Sequence, residues 1–168
     1  MDLAFLLIRL LLGAAIAAHG SQKLFGWFGG PGLTGAAGFF EQLGFRPGRL
    51  FVFGAAGGEI AGGVLTALGI GGALGPAIIV MVMLVAILAV HVRAGFFAQA
   101  GGWELSAFYI SNAVAVAFAG SGAYSLDRVL GLNILDSPTQ VTIALAVAAV
   151  LALLNLSARR GAPAREAA

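Results

Sequence analysis

Cysteine is missing from this 168-residue chain. That excludes disulfides, thiolate metal ligands and thiol–disulfide relays as sources of stability or chemistry. Charge is scarce as well: Asp, Glu, Lys and Arg make up 10% of the residues, against roughly 25% in a soluble domain. The few basic residues flank apolar runs and leave a net charge of only +2, so nothing calls for a nucleic-acid partner. No glycine spacing matches the Walker or dinucleotide pattern, which removes the common phosphate-binding loops.

Apolar residues are abundant, at 60%, and they gather into long runs. Five runs approach the length of about 17–25 residues that a helix needs to cross a bilayer. They are Leu3 to Gly20, Leu50 to Ile70, Ala73 to Val90, Leu105 to Gly120 and Thr139 to Leu156. The fourth is short and is expected to extend at its ends or to thin the bilayer locally. A cleaved signal sequence wants a positive start and an unbroken apolar core; Asp2 and Arg9 argue against one here.

The pattern predicts an all-α, polytopic membrane helical bundle with four core transmembrane helices and a peripheral fifth at the C-terminal side. Ser137 and Pro138 fit the N-cap and first position of that fifth helix. Gly71-Gly72 and Pro76 predict a tight turn that makes the second and third helices antiparallel neighbours. The 26 glycines, about twice the usual ~7% share, read as close helix packing, because small residues let backbones approach.

Five spans place Lys23, Arg46, Arg49, Arg93, Arg159, Arg160 and Arg165 on one face and Arg128 alone on the other. The excess of Lys and Arg on cytoplasmic loops then predicts an external N-terminus and a cytoplasmic C-terminus. The tail after Asn155, with its three arginines, is expected to be solvated and frayed.

Ionisable side chains inside a span mark a functional site by default. Arg9 lies near the middle of the first run and Glu59 near the middle of the second. Arg9, Gly13, Ile16 and Gly20 share one helical stripe, which Lys23 extends if the helix continues. Gly54, Gly58, Gly62 and Thr66 form a ladder of small residues, with Gly63 one turn beyond Glu59. A close approach of these two helices is expected to bring the Arg9 guanidinium to the Glu59 carboxylate. Two readings stay open: a structural ion pair that fixes register, and a ligand- or proton-handling site.

A second constellation gathers at one membrane boundary. His19 ends the first run and His91 the third, and alternation puts both on one face with Lys23, Arg93 and Glu104. Proton or anion handling, metal ligation and interfacial packing are the alternatives. Nothing in their spacing is a ligand signature, so no metal is assigned. In the fourth run Tyr109 and Asn112 share a face, and Asn112 at mid-depth needs a partner across helices or in a polar cavity. The aromatic, glycine-rich stretch from His19 to Gly32 (HGSQKLFGWFGGPG) suits the headgroup zone, where amphipathic rings anchor. GSGAYSLDR, from Gly120 to Arg128, reads as a turn that Asp127 and Arg128 dock on the bundle or leave in water.

Arg9 with HGSQKLFGWFGG, then GGEIAGG, HVRAGFF with GGWE, and GSGAYSLDR, in that order, resemble the DoxX family of small bacterial membrane proteins over about residues 3 to 131. The resemblance implies a compact four-helix membrane domain over residues 1–135. The apolar segment at 136–157 departs from the family pattern, and 158–168 are expected to form a flexible basic tail. Related DoxD proteins are a membrane subunit of a thiosulfate:quinone oxidoreductase, and some DoxX-like proteins associate with oxidative-stress complexes. Arg9, His19, Lys23, Glu59, His91 and Glu104 look like the family's recurring polar positions.

Together these readings predict an accessory subunit of a membrane redox system in a bacterial plasma membrane. A quinone is its candidate cofactor, held by Arg9, Glu59 and the two histidines. A chain without cysteine or a recognisable cofactor motif takes its electrons from a partner redox protein and is not a complete enzyme alone. Its other partners are the lipid bilayer and, as a candidate, further copies of itself. The alternative is a non-catalytic assembly, anchoring or lipid-binding component with a purely structural Arg9–Glu59 pair. A small transporter is a weaker third reading, since five short spans leave little room for inverted repeats.

Overall fold

The computed structural model describes residues 2–160, and among these there is no strand. Seven helices follow one another: α1 (Asp2–Phe25), α2 (Gly32–Gln42), α3 (Gly48–Leu68), α4 (Leu74–Ala86), α5 (Glu104–Ala119), α6 (Leu126–Leu130) and α7 (Pro138–Ser157). α4 continues through a π turn at Ile87–His91 and a 3-10 turn at Val92–Ala94. With that extension, four helices are long and apolar enough to span a membrane: α1, α3, α4 and α7. α5, at 16 residues, is about 24 Å long and is the short member of the bundle.

α1 and α3 pack most intimately because glycine removes side chains from their seam. A Cβ on Gly13 would run into the Gly63 carbonyl, and one on Gly20 into the Ala56 carbonyl. These two contacts fix an antiparallel register in which Gly20 lies beside Glu59. The ladder of small residues expected to serve that seam faces elsewhere. Gly58 and Gly62 receive Ile78 and Val82 of α4, while Gly54 meets nothing. The ladder thus identifies a close helix pair, but its partner is α4.

α4 takes the centre of the bundle. Ile79, Val80, Val82 and Met83 pack with Leu12 and Ile16 of α1 and with Ala113 and Val116 of α5. α7 lies outermost and buries Val141, Ala148 and Ala152, mainly against α4. Its start is a capping box: Ser137 Oγ accepts from the Gln140 N–H and Gln140 Oε1 from the Ser137 N–H, with Pro138 in the first turn.

The stretch between the first two spans holds α2. Too short to cross a bilayer, this helix lies against α1 and α3, burying Ala36 and Ala37 beside Val52 and Ala56. A glycine at position 48 allows the Ala37 carbonyl to come so close that a Cβ would collide with it. Glu41 Oε1 also accepts the Gly48 N–H at 3.0 Å.

The basic tail begins differently from the solvated strand expected of it. Arg159 Nε donates to the Leu43 carbonyl at 2.8 Å and its guanidinium lies over the Phe45 ring. The Arg160 N–H donates to the Gly44 carbonyl. Arg165 lies outside the described residues.

Candidate functional site

Arg9 and Glu59 do not pair. The seam register sets Glu59 beside Gly20, eleven positions along α1 from Arg9, or about 16 Å at helical rise. Arg9 instead reaches the end of the bundle where α3 turns into α4. Its Nη1 donates to the Ser121 carbonyl and its Nη2 to the Tyr124 carbonyl. The guanidinium is 2% exposed and lies above the Phe5 ring. Two buried polar atoms at this end, Arg9 Nε and Thr66 Oγ1, have no protein partner among the described residues.

Asp127 completes this node. The Gly71 and Gly72 N–H groups donate to its two carboxylate oxygens at 2.9 and 2.8 Å, and Ser121 Oγ donates to Oδ2 at 2.7 Å. Its own N–H donates to the Gly69 carbonyl. Burial pushes the Asp127 carboxyl upward, but the Ser121 hydroxyl, the two glycine amides and nearby Arg9 outweigh it and hold the group below its ordinary value. Of the two charges at 127 and 128, Asp127 is buried and Arg128 exposed. The node staples the α3–α4 turn to the α5–α6 connection, so Arg9 serves as a clamp.

The partner of Glu59 is Lys23, one turn past Gly20 on the same α1 stripe. Its Nζ lies 2.7 and 2.6 Å from the two carboxylate oxygens. Glu59 is almost fully buried, while Lys23 keeps 27% of its side chain exposed, as expected of a lysine whose stem crosses apolar surface toward water.

Lys23 and Glu59 form part of the wall of a cavity of about 670 Å³ at the basic end of the bundle. α1 supplies His19, Gln22 and Lys23, α3 supplies Glu59, and α5 supplies Ser106 and Tyr109. His91, on the π turn of α4, also lines it. Such turns often mark functional positions, since the extra residue re-aims the side chains that follow. Apolar residues, among them Phe39, Phe40, Phe45 and Met83, line most of the rest.

His19 Nε2 lies 3.3 Å from the Tyr109 hydroxyl, with the rings edge to face. His91 Nδ1 lies 2.7 Å from the Gly101 carbonyl. Four of the seven expected polar residues therefore converge here: His19, Lys23, Glu59 and His91. Among the described residues no three His, Asp or Glu side chains come together as a metal-ligand set.

Three expected site residues lie elsewhere. Arg9 is in the opposite node. Glu104 braces the loop before α5, its Oε2 accepting the Ala98 N–H at 2.9 Å. Asn112 donates to the Phe108 carbonyl of its own helix, not to a neighbouring helix. Conversely, Gln22 and Ser106 belong to the wall although nothing marked them in advance. The spacing of His19, Gln22 and Lys23 by three and four residues was the available signal, because such residues share a helix face. Exposed Phe25, Trp27 and Phe28 continue from α1 at this end, as rings of a headgroup belt do.

The DoxX family model matches residues 4–92, from the start of α1 to just past the π turn. No curated protein and no solved structure matches the chain. The matched span holds the α1–α3 seam, the Lys23–Glu59 pair and both histidines, and it covers more than half of the sequence; this multi-pass membrane protein belongs to the DoxX family.

Proposed function

We propose that the protein is an accessory subunit of a membrane redox system and that its cavity takes a quinone-type ring from the bilayer. One observation carries this reading: a largely apolar chamber of about 670 Å³ with an acid–base pair and two histidines in its wall. Small-molecule sites are concave, mostly apolar, about 300–1,000 Å³ in volume and fitted with a few well-placed polar groups. A quinone-type ring with the first part of its tail suits that size and lining.

When bound, such a ring supplies reversible transfer of two electrons and two protons. Lys23 and Glu59 hold one end of the chamber in a fixed hydrogen-bonding geometry. His19 and Tyr109 form a second exchangeable pair, and partly exposed Lys23 connects the buried carboxylate toward the aqueous face. Electrons pass to or from a partner redox protein, since the chain has no thiol chemistry of its own.

We place the protein in a bacterial plasma membrane with its N-terminus outside. Lys23, Arg46, Arg49, Arg93, Arg159 and Arg160 cluster at the cavity end, whereas Asp2, Asp127, Arg128 and Asp136 mark the other. By the positive-inside rule the cavity then lies at the cytoplasmic end of the bundle.

The test is native mass spectrometry of the complex released from membranes. A co-purifying quinone, absent from a Lys23→Met/Glu59→Leu variant that still folds, supports the reading. A phospholipid in its place favours a lipid-binding component, which the apolar lining also suits. Release of the protein with no small molecule counts against both.

A further inference from the structure

Hydrogen-bonding capacity around the cavity is lopsided. Lys23 commits two ammonium hydrogens to Glu59 Oε1 and Oε2 and directs its third at the His19 carbonyl, 3.4 Å away. An ammonium has three hydrogens and nothing further to give. Each Glu59 oxygen, in contrast, keeps a second lone pair. The 3.3 Å contact with the Tyr109 hydroxyl occupies His19 Nε2.

At His91 the geometry selects a tautomer. A carbonyl oxygen cannot donate, so the 2.7 Å approach of Nδ1 to the Gly101 carbonyl puts the proton on Nδ1. In the neutral ring Nε2 is then an acceptor. The carbonyl is presented by a braced loop: the Trp103 and Glu104 N–H groups donate to the Gly95 and Phe96 carbonyls, and Glu104 Oε2 holds the Ala98 N–H. Gly102 packs so tightly on Gly95 and Phe96 that a Cβ has no room. Gln22 and Ser106 can donate or accept.

We infer that the cavity is built for a ligand that donates hydrogen bonds, a hydroxylated aromatic ring of the hydroquinone type, bound in preference to its oxidised quinone. The inference rests on the quinone reading and sharpens it. Hydroxyl groups find open acceptors at Glu59 and at His91 Nε2. A quinone offers only carbonyls: at the ion pair it must compete with Glu59 for Lys23, leaving a buried carboxylate oxygen short of a donor, which is costly, and its other donors are neutral side chains such as Gln22 and Ser106.

The test compares three probes of equal tail length, titrated under argon into purified protein in nanodiscs. They are a decyl-tailed benzoquinone, its hydroquinone, and the hydroquinone dimethyl ether, which cannot donate. The hydroquinone is expected to bind about tenfold tighter than the quinone, a rise of about 30 mV in the potential of the bound couple. The dimethyl ether is expected to bind no better than the quinone. His91→Phe is expected to shrink the preference for the hydroquinone over the quinone.

The dimethyl ether tests the donor requirement without altering the protein, so misfolding of the variant cannot obscure it. Equal affinity for the two redox forms, or tighter binding of the quinone, overturns the inference and leaves the quinone reading standing. Failure of both forms to bind overturns both.

Discussion

Lys23 of α1 and Glu59 of α3 form a two-pronged ion pair, with the ammonium 2.7 and 2.6 Å from the carboxylate oxygens. Only the lysine keeps an appreciable part of its side chain exposed. That asymmetry governs what substitutions do. Lys23→Met strands a carboxylate in the wall and is expected to cost about 3–5 kcal/mol, whereas replacing both partners with apolar residues is expected to be near neutral for folding. Thermal melts of the single and double variants in detergent read the difference. A double variant as unstable as the single one contradicts it.

Arg9 is expected to be needed for folding and dispensable for ligand binding. Arg9→Met leaves the Ser121 and Tyr124 carbonyls without their donors, at a cost of about 2–4 kcal/mol for two orphaned acceptors. Arg9→Lys is expected to recover only part, because an ammonium lacks the planar fork that reaches two carbonyls together. Ligand affinity of the folded fraction is the discriminating measurement. A large loss of affinity in protein that melts normally places Arg9 in the binding machinery.

Asp127 makes stability sensitive to acid. Burial opposes its charge, but Ser121, the Gly71 and Gly72 amides and Arg9 hold it below the ordinary carboxylate value. Folding therefore gains from the charged form above about pH 4, the unfolded value. That gain disappears as pH falls through the lower folded value. Asp127→Asn is expected to be less stable at neutral pH and to flatten the acid limb of a melting-temperature profile. A parallel profile for the variant and the parent refutes the assignment.

The glycine seam sets the geometry of the ion pair. A side chain at Gly20 meets the Ala56 carbonyl and Ile60, so Gly20→Val is expected to separate α1 from α3. Overpacking of this kind costs about 1–3 kcal/mol and pulls Lys23 away from Glu59. Gly54→Ala, which meets nothing, is the matched control and is expected to be silent. Melting temperature and ligand affinity should fall together in the first and in neither case in the second.

The five long apolar helices, their order and the tight α3–α4 turn were legible in the sequence because lipid-spanning runs and Ser-Pro or Gly-Gly signals are local. So was the α1 stripe from Arg9 through Gly20 to Lys23. The partners were not legible. The middle of an apolar run gives only a rough depth, whereas register is decided by where two backbones touch, at Gly13–Gly63 and Gly20–Ala56. That register hands Glu59 to the far end of the stripe. α2 escaped notice because its eleven residues lie between glycine-rich turns and never approach spanning length. The sequence leaves Asp127 between docking and water, because the amides that receive it come from a turn more than fifty residues upstream.

The contact between Arg159 and the Phe45 ring has a bearing on biosynthesis. Phe45 lines the chamber, yet its cation cover comes from beyond the last helix. A ribosome must therefore have threaded α7 into the bilayer before that part of the chamber acquires its final support. Nascent chains halted ahead of α7 would lack the cation that covers this ring.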